Sequence, residues 1–141
     1  MSDKLYMLMH KLENLEKKYQ KSANYFNRLN NFLTLPAIIL TSLSSIFSFL
    51  STSEIVGKEK QNDFLLVVAI MTAISSLLQT IGGSCQFTVK KDKFSQAANE
   101  FDSLVDKINF EILEANEEDF LNTIEEEMRR IKDNCKFLPQ K

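Results

Sequence analysis

Hydrophobic positions are spaced in two different ways along the chain, and the spacing changes where the charges stop. Residues 29–53 and 64–89 contain no charged residue, and each stretch exceeds the roughly 20 residues that a helix needs to cross a bilayer. Soluble helices of this length carry polar residues on one face at every turn. The sequence therefore predicts two transmembrane helices, over 31–53 and 64–87, with a buried hairpin in a soluble helical bundle as the alternative.

Outside these stretches, apolar residues recur every three or four positions, as they do on one face of a helix. The pattern predicts a cytosolic amphipathic helix over 1–30 and another over 88–115, each continuing a transmembrane helix into a coiled-coil-like stalk. The stalk seam before the first span is Leu12, Leu15, Tyr19 and Phe26, and the seam after the second span includes Phe101, Leu104 and Ile108.

A short loop over 54–63 joins the spans, and a short C-terminal helix is predicted over 116–134, followed by a tail over 135–141. Asn116 is a favourable N-cap for that helix, and the acidic residues after it suit the positive end of the helix dipole. Only three Gly and two Pro occur in 141 residues, which disfavours a fold with many tight turns. The predicted fold is all-α, an integral membrane helical hairpin extended by cytosolic helices.

Polar residues in the two spans fall on one stripe of each helix at about 100° per residue. The stripes consist of Thr34, Thr41, Ser45, Ser48 and Thr52 in the first span and Thr72, Ser76, Gln79 and Gly83 in the second. Two interpretations stay open. Either the stripes pack helices closely and hydrogen-bond across the seam, or they line a water-filled pore after oligomerisation.

Three residues predict hinges in the spans. Pro36 leaves the carbonyl of Phe32 without its helical donor, which predicts a kink or a helix start near the membrane entry. Gly82 and Gly83 predict a flexible or close-packed point at the matching level of the second span.

Basic residues flank the spans on the side of the two termini. Residues 1–28 carry six Lys or Arg and residues 90–141 carry nine, whereas the connecting loop carries only Lys58 and Lys60. By the positive-inside rule, both termini are cytosolic and the loop lies on the other side of the membrane.

The chain offers little chemistry for catalysis. It has one histidine, His10, and neither span contains an Asp or Glu that would relay protons. Cys85 and Cys135 lack the spacing of a metal or redox site. A formal net charge of −2 gives no indication of nucleic-acid binding, which is typical of strongly basic domains. We therefore expect no enzyme activity, no cofactor, no metal site and no nucleic-acid partner.

Three segments carry a family resemblance. The first span contains TLPAIILTSLSSIFSFL and residues 131–140 read IKDNCKFLPQ. The segment after the second span contains Ala98, Glu100, Phe101, Leu104, Ile108 and Glu111. In these segments the chain resembles the SLATT two-transmembrane family, in particular the uncharacterised two-pass proteins of large DNA viruses. Viral members tend to carry His where this chain has Phe94 and Asn99.

The resemblance implies a membrane effector. SLATT proteins of prokaryotic immune systems are proposed to perforate membranes when a nucleotide-sensing partner triggers them, so a cytosolic sensor or activating protein is an expected partner. We expect a small two-pass protein that self-associates in the lipid bilayer into a homo-oligomeric membrane pore or membrane-perturbing effector. The alternative is a structural membrane protein, for instance of a virion or host-derived membrane, whose cytosolic stalk docks a partner without conduction.

Overall fold

The computed structural model describes residues 3–53, 57–111 and 117–136. No residue in these ranges lies in a β-strand, so the all-α prediction is confirmed. The helices are α1 (Asp3–Thr52), α2 (Lys58–Ser84), α3 (Phe87–Glu111) and α4 (Glu117–Asn134).

The helices form two compact units. The terminal unit consists of Met1–Asn27 and Thr88–Lys141, and the central unit consists of Arg28–Phe87. Helix α1 contributes its first half to the terminal unit and its second half to the central unit. The stretches without charge lie almost wholly in the central unit, so the division follows the charge pattern of the sequence.

The terminal unit has a core built from three helices. Large apolar side chains alternate with charged ones at helical spacing on each of them, so each helix presents one apolar face to the other two. The buried side chains are Leu5, Leu8, Leu12, Tyr19, Ala23 and Phe26 of α1, Phe94, Ala97, Ala98, Phe101, Leu104 and Ile108 of α3, and Phe120, Ile124, Met128 and Ile131 of α4.

The central unit is an antiparallel pair formed by the second half of α1 and by α2. The pairing is antiparallel because Thr41 meets Ser75, whereas Phe47, further along α1, meets the earlier Phe64 with ring centroids 5.6 Å apart. Its buried residues are small, and most of its large apolar side chains are exposed.

The helices do not all begin and end where the predicted segments do. Helix α1 is continuous over Asp3–Thr52 and so includes the described part of 1–30 and almost all of 31–53. Helix α2 begins at Lys58, inside the predicted loop, because the Lys, Glu and Gln residues there are good helix formers although they are too polar to count toward a span. Helix α4 occupies Glu117–Asn134, while Asn116 and residues 137–141 of the predicted tail lie outside the described residues.

The predicted hinge residues lie within helices. Pro36 is inside α1. Gly82 and Gly83 lie in the last turn of α2, neither has a positive φ, and a Cβ added to either would meet nothing within 4 Å. The chain instead leaves α2 through Gln86, whose φ of 50° is in the left-handed region. This is the conformation that commonly follows a helix end, although glycine adopts it at lower cost.

Candidate functional site

The central unit joins its helices through small residues. Ala37, Ser44 and Ser51 recur every seven positions on α1 and are 1%, 6% and 5% exposed, and Ser75 of α2 is 3% exposed. Small side chains let two helix backbones approach closely, and hydroxyl groups can hydrogen-bond across the gap, as is typical where membrane helices pack together. We call this line of buried residues the hairpin seam.

One hydrogen-bonded cluster crosses the hairpin seam. The Ser75 Oγ lies 2.9 Å and the Thr41 Oγ1 lies 2.8 Å from the carbonyl oxygen of Ala37, and the two hydroxyl oxygens are 2.7 Å apart. Two hydroxyls supply only two protons for these three short distances. One hydroxyl therefore donates to the other, and the second donates to Ala37, so Thr41 and Ser75 act as a single unit.

A second seam residue is left without such a partner. Ser44 is buried, and its Oγ has no hydrogen-bond partner among the described residues. A buried hydroxyl without a partner costs free energy, because it has lost its contacts with water and gained nothing in exchange. Of the seam serines, Ser75 therefore stabilises the pairing of the helices and Ser44 destabilises it.

The nine residues of the predicted polar stripes are all exposed in the central unit. Of these, Thr41 also reaches into the hairpin seam through Ser75. Two others donate to carbonyls of their own helix, Ser45 to Thr41 at 3.1 Å and Thr52 to Phe49 at 3.0 Å. The residues that pack α1 against α2 are therefore mainly a different set from the predicted stripes.

The two stripes lie on the same side of the hairpin. On each helix the stripe is offset by about 70° from the hairpin seam, in the direction of increasing residue number. Because the helices are antiparallel, equal offsets in this sense bring both stripes to one side, which we call the polar side. Aliphatic residues are exposed on the opposite side, among them Ile39 and Leu43 of α1 and Val67, Ile74 and Ile81 of α2.

The predicted stalk seam is brought together in the terminal unit. Tyr19 lies 5.6 Å from Phe94 and 5.2 Å from Phe101 between ring centroids, and Phe26 stacks on Phe94 at 5.6 Å. Most of the predicted residues are buried there, whereas Leu15 and Glu100 are half-buried and the Glu111 side chain lies outside the described residues. The buried ones are Leu12, Tyr19, Phe26, Ala98, Phe101, Leu104 and Ile108.

Helix α4 closes this core. The Lys107 Nζ donates to the Glu127 Oε1 at 3.2 Å across α3 and α4. Cys135, just after α4, is buried, with its Sγ 4.0 Å from the carbonyl oxygen of Lys93. Burial, together with the nearby Glu100 carboxylate, raises the pKa of the Cys135 thiol, while Lys93 opposes the shift. The apolar spacing of α4 is visible in the sequence, but its docking onto the stalk was not predicted.

Two long helical stretches, Asp3–Thr52 and Lys58–Phe110, are apolar enough over a sufficient length to cross a membrane. Among the described residues, no group of three or more His, Cys, Asp or Glu is placed to hold a metal ion. Comparisons with protein-family models, curated proteins and solved structures found no match to this chain. The resemblance to SLATT proteins stays a prediction.

Proposed function

We propose that the protein is a two-pass membrane protein that self-associates through the polar side of its central unit and permeabilises the membrane. The observation that carries this proposal is the exposure of both polar stripes on one side of a hairpin whose other outer surfaces are largely apolar. The SLATT resemblance points the same way, and a cytosolic sensor or activating protein is the trigger we propose.

The burial pattern supports a membrane location. Only 11% of the most apolar window of α1 and 6% of that in Lys58–Phe110 are buried, whereas the core helix of a soluble domain is mostly buried. Large side chains such as Phe49 and Leu77 are 71% and 63% exposed. A soluble protein rarely exposes a continuous apolar surface of this kind. Lipid chains would cover it without cost.

The polar side supports self-association. Hydroxyl groups such as that of Ser45 tolerate lipid because they already donate to a carbonyl of their own helix. Gln79 differs, because its exposed amide has two N–H donors and a carbonyl acceptor. Placing such a group in hydrocarbon without hydrogen-bond partners costs on the order of several kcal/mol. A second copy or pore water would supply the partners that lipid lacks.

We propose that both termini are cytosolic. The distribution of basic residues supports this topology. A reporter fused after Lys141 should then be cytosolic, and a tag inserted between Gly57 and Gln61 should be reachable only from the opposite side. Finding both tags on one side of the membrane would eliminate the hairpin topology.

Paired serine-to-leucine variants test permeabilisation. Ser45→Leu with Ser48→Leu removes two hydroxyls from the polar side and adds bulk that should dewet a pore. The control is Ser42→Leu, because this exposed hydroxyl lies outside the polar stripe of α1 and likewise donates to a carbonyl of its own helix. We expect ion flux through vesicles holding the full chain to fall in the first variant only. Equal flux from both variants and the unaltered chain would contradict the proposal.

The same experiment separates the structural alternative. The intrahelical hydrogen bonds of Ser45 and Thr52 favour a dry interface, since a satisfied hydroxyl does not need water. In that case the hairpin is a structural membrane protein, the oligomer of the Ser45→Leu, Ser48→Leu variant loosens, and the unaltered chain shows no flux. The terminal unit would then dock a partner without conduction.

A further inference from the structure

Charge in the terminal unit is divided between its two ends. One end, which we call the basic end, is where the chain passes to and from the central unit, and the opposite end is called the acidic end. The basic end carries ten Lys or Arg against four Asp or Glu, and the acidic end carries three against nine, giving formal net charges of +6 and −6. The basic end comprises residues 15–27, 88–100 and 128–136, and the acidic end comprises 3–14, 101–110 and 118–127.

Helix packing creates this division. The Cys135 Sγ lies near the Lys93 carbonyl, and Tyr19 contacts Phe94, so the end of α4 is level with the start of α3 and with the part of α1 around Tyr19. This packing brings four basic residues that are remote from both spans in the sequence to the basic end. They are Arg129, Arg130, Lys132 and Lys136, all exposed except the half-buried Lys132.

The basic end also gathers like charges. Along the groove between α1 and α4, Lys4 and Lys11 share the lining with Glu118 and Glu125. Two helical turns after Glu125, the residue on the same face of α4 is Lys132. Burial lowers the pKa of Lys132, and the charges of Lys11 and Lys18 lower it further. Repulsion among these ammonium groups would be relieved by an external anion.

We propose that the basic end of the terminal unit binds the headgroups of anionic lipids, with the end of α4 taking part in the contact. This inference rests on the membrane location proposed above. An anionic bilayer surface attracts basic residues that lie next to a membrane helix. The acidic end is repelled by the same surface, so the division of charge favours one orientation of the terminal unit.

A tryptophan reporter tests this proposal in the full chain. The sequence contains no Trp, so Ile81→Trp, at a 48% exposed site in the central unit, introduces a single fluorophore. The chain is reconstituted in phosphatidylcholine vesicles that contain 30% phosphatidylserine. Brominating the acyl chains of one lipid or the other quenches the fluorophore and yields the preference for phosphatidylserine over phosphatidylcholine.

Charge-removal variants assign that preference to the basic end. We expect Lys17→Gln with Lys21→Gln, and Arg129→Gln with Arg130→Gln, each to lower the preference. The loss should be as much as about fivefold per basic side chain, which corresponds to about 1 kcal/mol. The control, Lys4→Gln, removes an exposed charge from the acidic end of the same α1 and should retain the preference. Arg129→Lys with Arg130→Lys should retain it as well, which separates lost charge from lost folding.

The outcomes distinguish this inference from the proposed function. Absence of quenching by either brominated lipid would contradict the membrane location itself. Equal quenching by both lipids, with no change in any variant, would overturn the lipid contact and leave the membrane location intact. If the α1 pair lowers the preference but the α4 pair does not, the assignment of α4 to the contact is wrong.

Discussion

The terminal and central units are built in opposite ways. The terminal unit buries large side chains, with Leu12, Phe101 and Ile108 fully inaccessible, and places charges on its surface. The central unit buries Ala37 and three serines, and it exposes phenylalanines and leucines. Water drives the first arrangement, because burying large apolar side chains removes the most apolar surface from contact with water.

The proposed membrane location would explain the second arrangement. Lipid chains are as apolar as leucine, so burying a leucine between two membrane helices gains little. What holds such helices together is close backbone approach and hydrogen bonds across the seam, and small hydroxyl residues supply both. Under the proposed membrane location, the contrast within one chain reflects two solvents, water and lipid. Helix α1 belongs to both units.

The largest expected effect of a single substitution is in the terminal core. Phe101→Ala should lower the free energy of unfolding of the terminal unit by about 3–5 kcal/mol, because it leaves a cavity at a fully buried site. Phe110, in the same helix and 78% exposed, supplies the control, and Phe110→Ala should change stability by less than about 0.5 kcal/mol. Denaturant unfolding in detergent, followed by far-ultraviolet circular dichroism, measures both. A comparable loss of stability in the two variants would mean that Phe101 is not packed in a core.

In the central unit, we expect the buried serines to affect stability more than the large exposed residues do. Ser75→Ala removes the hydroxyl that joins α2 to Ala37 and Thr41 of α1, and we expect a loss of about 0.6–1.7 kcal/mol in the free energy of unfolding. Ser44→Ala removes a hydroxyl without a partner, so we expect no loss, or a gain of up to about 1 kcal/mol. Titration of the folded chain with a denaturing detergent gives both values, with exposed Ser76→Ala as the control. A similar loss from both seam serines would argue against the hydrogen-bonded cluster.

The smallest expected effect is a pH dependence from Cys135. Because the pKa of its thiol is raised in the folded state, the unfolded chain releases this proton first. The thiol's contribution to stability is therefore complete below its ordinary pKa of about 8.5. It is lost as pH rises from there through the raised value. Unfolding measured from pH 7 to pH 10 should show this decline, and Cys135→Ala should show a flatter profile. Identical profiles would contradict the raised pKa.

Much of the fold follows from two periodicities in the sequence. The uncharged stretches and the apolar spacing of residues such as Leu12 and Phe101 are enough to predict helices throughout. The ends of helices are less predictable, because charge marks where a span ends and not where a helix ends. This is why α2 begins at Lys58, ahead of the predicted span. The left-handed conformation of Gln86 could not be predicted from the local sequence, because the glycines that would favour it, Gly82 and Gly83, lie four and three residues earlier.

The hairpin seam was harder to predict than the polar stripes. Periodicity groups hydroxyl residues by their angle on each helix, and the strongest grouping is the one that includes Ser45 and Ser48. The seam depends on which faces of two distant segments meet. The faces that meet are those that carry the small residues Ala37, Ser44, Ser51 and Ser75. A seven-residue recurrence of small residues in α1 is the signal that could have identified it. Docking of α4 depends in the same way on contacts between distant segments.

The central claim is that the polar side of the hairpin faces protein or water and not lipid. Single nitroxide labels at Ser45→Cys and Ser42→Cys test it, because both serines are exposed on α1 and both donate to carbonyls of their own helix. The background is Cys85→Ala with Cys135→Ala, which removes both native thiols. The measurement is the collision rate of each label with oxygen, which concentrates in hydrocarbon, using the full chain in vesicles. We expect a high rate at position 42 and a low rate at position 45, and equally high rates at both positions would contradict the account.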